Sequence, residues 1–127
     1  FARSTLAEIE SRLRGQPFWL VLWDLECSYC MHSLRGLAQA QARNPRLRAV
    51  TISTDSIGQA SQITARLASL GVRSEAYAFA QDSVEALRHA IDPGWAGEKP
   101  RAYRYGPDGR RKAVSGVIDA SEYGAEF

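Results

Sequence analysis

Phe18-Trp19-Leu20-Val21-Leu22-Trp23, followed by Asp24-Leu25-Glu26 and then Cys27-Ser28-Tyr29-Cys30, is the stretch from which the fold can be read. The first six residues form a short continuous apolar run of aromatic and branched side chains, as expected of a buried strand. Beyond the cysteines, Leu34, Leu37 and Ala38 recur at helical spacing, with Ala40 and Ala42 after them, until Asn44-Pro45 ends the pattern. The cysteines, the only two in 127 residues, therefore stand where a strand hands over to a helix.

Four chemistries use cysteines at this spacing. As a staple, a bridge closing a loop of four residues restricts the unfolded chain by only ~2 kcal/mol, a small gain. Haem attachment requires histidine directly after the second cysteine, but Met31 intervenes and His32 comes one place late. A structural zinc site needs two further ligands, for which His32 and His89 are the other candidates, with no second cysteine pair. A redox dithiol suits the context best. Cys27 falls at the helix N-terminus, where unpaired N–H groups and the positive end of the dipole favour a thiolate. Lowering a thiol from ~8.5 to ~7 requires ~2 kcal/mol, the upper limit of what a dipole supplies, so a direct hydrogen bond to the sulfur from the Cys30 thiol or a backbone N–H is expected as well. On this reading Cys27 attacks, and Cys30, one turn further in and less exposed, resolves the mixed disulfide.

A strand, Trp23, three residues and Cys27-Ser28-Tyr29-Cys30 opening a helix together resemble the thioredoxin superfamily. Leu70-Gly71-Val72, Ala76 to Ala80, the helical Ser83 to Ile91 and Gly97-Glu98-Lys99-Pro100-Arg101-Ala102-Tyr103 keep the order and spacing of its TlpA/ResA-like extracytoplasmic thiol-disulfide oxidoreductases, over residues 17 to 118. The resemblance implies a thioredoxin-like α/β fold, a central mixed sheet flanked by helices with a TlpA/ResA-type strand-helix insertion. It implies a reductase of extracytoplasmic protein disulfides, for example in cytochrome c maturation, without a cofactor because the cysteines carry the electrons. It also implies a protein thiol or disulfide substrate, and a membrane or soluble redox partner that resets the dithiol. Pro100 is the resemblance-based candidate for a cis-proline, with the backbone at Lys99-Pro100 aligning an extended substrate strand. Trp23, by its motif position, and Trp95, in the loop before Pro100, are expected to pack first and also to wall the site.

The sequence departs from this family at several positions. Glu26 stands directly before the first cysteine, where tryptophan is usual; its carboxylate would raise the Cys27 pKa if close, act as a proton acceptor, or be a solvated loop residue. Val21 stands where thioredoxins proper bury an acid, so proton transfer to or from Cys30 would use water, Glu26, Asp24 or Glu98. Ser28-Tyr29 replaces a pair that often carries proline before the second cysteine, which leaves the redox poise open. Arg104 falls where an apolar strand residue is usual, predicting a less covered strand or a snorkelling side chain. Two other classes fit the same residues: a copper- or metal-handling protein using Cys27, Cys30 and a histidine, or a non-catalytic adaptor on the same scaffold.

Length predicts one domain, residues 1–127. Apolar residues at 45%, charged ones at 24% and a net charge of +2 describe an ordinary globular protein and make no case for nucleic acid, although fourteen of the sixteen basic residues are arginine. A monomer is expected. No apolar run approaches the ~20 residues needed to cross a bilayer. Residue 1 is phenylalanine, and an upstream segment is expected; the resemblance makes it a signal peptide or membrane anchor, with the domain periplasmic or otherwise extracytoplasmic.

Elsewhere, Thr5 and Glu8 have capping-box spacing ahead of Leu6, Ile9 and Leu13, in a helix expected to end at Gly15. Arg46 to Ser53 reads as a second buried strand, parallel to the first through a right-handed crossover. Thr54-Asp55-Ser56 reads as a loop or helix start, and Ala60 to Leu70 as a helix closed by Gly71. Residues 76 to 80 form a weaker strand, and Asp82-Ser83 caps the next helix. Arg101 to Tyr105 and Arg110 to Ser115 flank the turn Gly106-Pro107-Asp108-Gly109 as a hairpin. Asp119 begins a last helix running to Phe127. The basic cluster Lys99, Arg101, Arg104, Arg110, Arg111 and Lys112 reads as a solvated hairpin face, with an acidic partner or anionic membrane as the alternative.

Overall fold

The computed structural model describes residues 1–125 of the chain. The elements are α1 (Thr5–Arg12), β1 (Phe18–Trp23), α2 (Ser28–Arg43), β2 (Ala49–Ser56), a 3-10 turn (Ile57–Gln59), α3 (Ala60–Leu70), β3 (Glu75–Phe79), α4 (Val84–Ile91), β4 (Arg101–Tyr105), β5 (Arg111–Ser115) and α5 (Ala120–Gly124). The five strands form one sheet in the order β3-β2-β1-β4-β5. β1, β2 and β3 are parallel, while β4 runs antiparallel to both of its neighbours, β1 and β5, so the sheet is mixed as expected. α3 and β3 supply the expected helix-and-strand insertion, and β3 forms the edge beside β2.

β1 is central because both of its faces are apolar, and all six of its residues are buried. Alternate side chains feed two cores. Phe18, Leu20 and Leu22 point toward α1 and α4 with Ile9, Leu13, Leu87, Ile91 and Trp95. Trp19, Val21 and Trp23 point toward α2 and α3 with Cys30, Leu34, Leu37, Ile63 and Leu67, joined by Tyr123 of α5. Each such large side chain contributes about 1.5–3 kcal/mol on burial, so a strand feeding both cores fixes its register firmly. α2 and α5 approach closely at Gly36, where a Cβ would lie 2.9 Å from the Ile118 carbonyl oxygen.

Several boundaries differ from those expected. Thr5 and Glu8 form no capping box: Ser4 holds the N-cap position, and the Thr5 hydroxyl instead accepts the Ala2 N–H at 2.8 Å, a turn outside the helix. α1 ends at Arg12, three residues before Gly15. β2 starts at Ala49 and runs to Ser56: the pairing with β3 is interrupted after Ser53 by an irregularity at Thr54-Asp55 and resumes at Ser56 opposite Phe79. β5 starts at Arg111. At the last helix, Asp119 caps and Glu122 completes a capping box. Phe127, where the sequence reading ends that helix, lies outside the described residues. Arg104 snorkels: it is half-buried on β4 and donates to the Ala125 carbonyl at 2.7 Å.

Candidate active site

β1 ends at Trp23, and the chain turns through Asp24-Leu25-Glu26 before α2 opens. The turn is tight because Asp24 serves both ends of it. Its carbonyl accepts the Cys27 N–H at 3.4 Å, and its carboxylate accepts the Glu26 N–H at 3.0 Å. Cys27 is the N-cap of α2, with extended backbone (φ −87°, ψ 102°), and its sulfur accepts the Cys30 N–H at 3.1 Å. This supplies the direct hydrogen bond that the dipole argument required. Cys27 and Cys30 are joined as a disulfide, with Cα atoms 5.2 Å apart. Cys27 is partly buried and Cys30 is 0% exposed, within the core that also holds Val21, Trp23 and Leu34.

Leu22 pairs with Arg101, so the start of β4 lies at the same end of β1, with Lys99-Pro100 beside the Trp23-Asp24 turn. The Lys99-Pro100 peptide bond is cis, as the resemblance implied. Lys99 Nζ lies 2.9 Å from Asp24 Oδ2 and donates to Thr54 Oγ1 at 3.1 Å, joining the ends of β1, β2 and β4. Behind Pro100, Asp92 Oδ2 accepts from Tyr103 Oη at 2.7 Å and from Arg101 Nη2 at 3.0 Å, and Asp92 Oδ1 accepts the Gly94 N–H at 2.9 Å. Burial pushes the Asp92 carboxyl up, but the hydrogen bonds from Tyr103, Gly94 and Arg101 outweigh it and hold the group below the usual carboxylate range. Burial pushes the Tyr103 hydroxyl up to about 12. These contacts anchor the irregular loop that presents Lys99-Pro100.

The other expected site residues divide by position. Glu26 is exposed and its carboxylate has no partner among the described residues, which matches the solvated reading. Asp24 lies in the turn but is held by Lys99 and the Glu26 N–H. Glu98 is directed into its own loop and the hairpin, accepting the Ala96 N–H at 3.1 Å and lying 4.0 Å from Arg101. Trp23 and Trp95 present no wall: they are 0% and 5% exposed. Trp23 packs in the core that holds Cys30, and Trp95 packs in the α1–α4 core and donates to the Glu98 carbonyl at 2.7 Å. Their aromatic area goes to these two cores.

The basic cluster is largely consumed inside the molecule. Lys99 pairs with Asp24, Arg101 with Asp92 and Arg104 with Ala125, while Arg111 stacks on Tyr103 at 4.4 Å and donates to the Ile91 carbonyl at 2.8 Å. Arg110 and Lys112 remain exposed. No group of three or more His, Cys, Asp or Glu is gathered among the described residues, and His32 and His89 are exposed on α2 and α4.

Three residues near the cysteines were not singled out from sequence. Thr54 and Asp55 read as loop, but in a parallel pair the end of β2 must lie beside the end of β1, a placement the predicted crossover already contained. Arg66, in the middle of α3, has no local signal at all.

No family model matches the sequence, and no curated protein sequence matches it. Solved structures do match. A secreted Mycobacterium tuberculosis disulfide oxidoreductase homologous to E. coli DsbE superposes with a TM-score of 0.71 at 20% identity, covering 90% of this chain and 81% of that one. A thiol:disulfide interchange protein of the thioredoxin family from Chlorobium tepidum gives 0.70 at 15% identity, covering 91% and 79%. StoA from Bacillus subtilis gives 0.61 at 14%, covering 86% and 80%. With its five-stranded mixed sheet flanked by helices superposing on these proteins over most of its length, this chain has the thioredoxin-like fold.

Proposed function

We propose that this chain is a protein thiol-disulfide oxidoreductase, acting as a reductase of extracytoplasmic protein disulfides through Cys27 and Cys30. The observation that carries the reading is the asymmetry of the pair: a partly exposed cysteine at a helix N-cap, its sulfur hydrogen-bonded by a backbone N–H, beside a fully buried partner. The Cys27 thiolate attacks one sulfur of a substrate disulfide, forming a mixed disulfide and releasing the other substrate sulfur as a thiolate. Cys30 then loses its proton and attacks the Cys27 sulfur. The substrate leaves as a dithiol, and two electrons have passed from this chain to it. A dithiol partner of more negative potential reverses the exchange and resets the pair.

In this reading the backbone around Lys99-Pro100 aligns the substrate strand, held in place by the Asp24 and Thr54 contacts of Lys99. Asp24 and Glu26, both in the turn before Cys27, are the candidates for moving the Cys30 proton, with water as the carrier. Glu98 is a weaker candidate because its partners lie in the loop and hairpin. The chain works as one domain and as a monomer. An extracytoplasmic site of action is supported by the secreted Mycobacterium protein of the same fold. No helix among the described residues is long and apolar enough to cross a membrane, so tethering would come from another segment.

The test is trapping. With a disulfide-bonded substrate protein, Cys30→Ser accumulates a mixed disulfide through Cys27, visible without reductant and lost with it, whereas Cys27→Ser neither traps nor turns over. Full activity in Cys27→Ser would overturn the mechanism. The direction follows from the potential: a value near or below roughly −230 mV fits a reductase, and one near about −120 mV a disulfide donor.

A further inference from the structure

One guanidinium touches the chain on both sides of the cysteine pair. Arg66, half-buried on α3, uses Nη1 to donate to the Leu25 carbonyl at 3.2 Å and to Met31 Sδ at 3.3 Å. Leu25 lies two residues before Cys27, and Met31 directly follows Cys30. The N–H of the same Leu25 donates to Asp55 Oδ2 at 2.9 Å. That carboxylate is itself fixed at the end of β2, accepting from the fully buried Ser53 hydroxyl at 2.6 Å, while the Asp55 N–H donates back to Ser53 Oγ at 3.0 Å. Leu25 is thus gripped at its N–H by β2 and at its carbonyl by α3.

We propose that Arg66 and Asp55 are positioning residues for Cys27, setting the stability of its thiolate by holding the Leu25 peptide. The inference rests on the reading of Cys27 as the attacking thiol. The sulfur can accept the Cys30 N–H only while Cys27 keeps its N-cap backbone, and that conformation is delivered by the turn immediately upstream. Asp24 closes the turn from within. Arg66 and Asp55 tie it to the rest of the fold, and Arg66 also tethers the first turn of α2 through Met31. With the grip lost, the turn drifts, the sulfur leaves the N–H, and the thiolate loses a charge-assisted hydrogen bond. Removing Arg66 also takes away a positive charge that favours the thiolate. A less stable thiolate makes the dithiol form less favourable, so the pair is oxidised more readily.

The experiment uses the full chain and two readouts: the rate of iodoacetamide alkylation of the reduced protein at neutral pH, and the equilibrium between dithiol and disulfide in glutathione buffers. Arg66→Met keeps the stem and removes the guanidinium. We expect alkylation to slow by about threefold, equivalent to about half a unit in thiol pKa, and the glutathione equilibrium to move toward the disulfide. Arg66→Lys retains the charge and one donor and falls between the two. Asp55→Glu keeps the charge but displaces the carboxylate from the Leu25 N–H, so it moves both readouts in the same direction through geometry alone, which keeps the proposal open to refutation if Arg66→Met does not fold. A residue that merely packs would lower the melting temperature and leave both readouts at the wild-type value, and that result overturns the proposal. A wild-type pair that never equilibrates with glutathione would refute the oxidoreductase reading itself. Reversible wild type with superimposable variants would refute only the roles of Arg66 and Asp55.

Discussion

The N-cap geometry of Cys27 separates a structural role of its sulfur from a chemical one, and two substitutions at the same position measure each. The sulfur accepts the Cys30 N–H at 3.1 Å from an extended N-cap backbone, the contact that serine makes at many helix starts. Cys27→Ser replaces it with an oxygen of similar reach, so the cap survives. Cys27→Ala removes it and leaves one more unpaired N–H in the first turn of α2. Replacing a capping side chain by alanine costs about 1 kcal/mol, within a range of about 0.5–2. Neither variant can form the Cys27–Cys30 bridge; reductant removes it from wild type as well, where at four residues it would otherwise add up to ~2 kcal/mol to the comparison. In urea unfolding followed by circular dichroism, Cys27→Ala should be about 1 kcal/mol less stable than Cys27→Ser, with its melting point lower by roughly 3–6 °C. Reduced wild type should lie close to Cys27→Ser, and both variants should be inactive in disulfide exchange. Equal stability of the alanine and serine variants would show that the sulfur does not cap α2, removing the direct hydrogen bond on which the thiolate argument rests.

Two further outcomes follow from packing and titration elsewhere. Burial pushes the hydroxyls of Tyr103 (to about 12), Tyr105 and Tyr123 above the ordinary tyrosine value of 10.0; because the folded pKa is raised, their stabilisation is complete below pH 10 and is lost as pH rises toward 12. Unfolding free energies across that window should fall with pH, and Tyr105→Phe should flatten the fall; an unchanged slope would contradict it. Gly36→Ala gains about 1 kcal/mol of helix propensity but drives a Cβ to 2.9 Å from the Ile118 carbonyl oxygen and 3.2 Å from the Ala120 nitrogen. Overpacking against backbone costs about 1–3 kcal/mol, so thermal unfolding should show a net loss, and a stabilised variant would mean that α5 yields.

Much of the fold was legible locally. β1 declares itself through six consecutive apolar residues, α2 through its apolar spacing and Asn44-Pro45, α3 through Gly71, and the hairpin through Gly106 to Gly109. Readings failed where a neighbour overrode a local pattern. Thr54-Asp55-Ser56 reads as a loop or helix start but belongs to β2, because Ser56 regains pairing with Phe79 of β3 beyond an irregularity at Thr54-Asp55. Thr5-Glu8 has the spacing of a capping box, but the helix starts one residue earlier than that motif requires. Trp23 and Trp95 pack in the two cores, the first role read for them, and the added role of walling the site is not what their burial offers.

The sequence by itself determined the chemistry on offer: two cysteines, their spacing, and a strand-to-helix junction that exposes backbone N–H groups to the first of them. Those are properties of adjacent residues, set by propensity, periodicity and the geometry of a helix start. The tertiary structure alone decided which of the charged residues face that junction. Lys99 reaches Asp24 across β4 and β1, Asp55 reaches Leu25 from β2, and Arg66 reaches both Leu25 and Met31 from α3. Sequence separations of 30 to 41 residues link Leu25 to Asp55 and Arg66, and no local pattern encodes them. They arise because parallel strands place their C-terminal ends together, so the crossover connections bring distant side chains to the same end of the sheet as the cysteines.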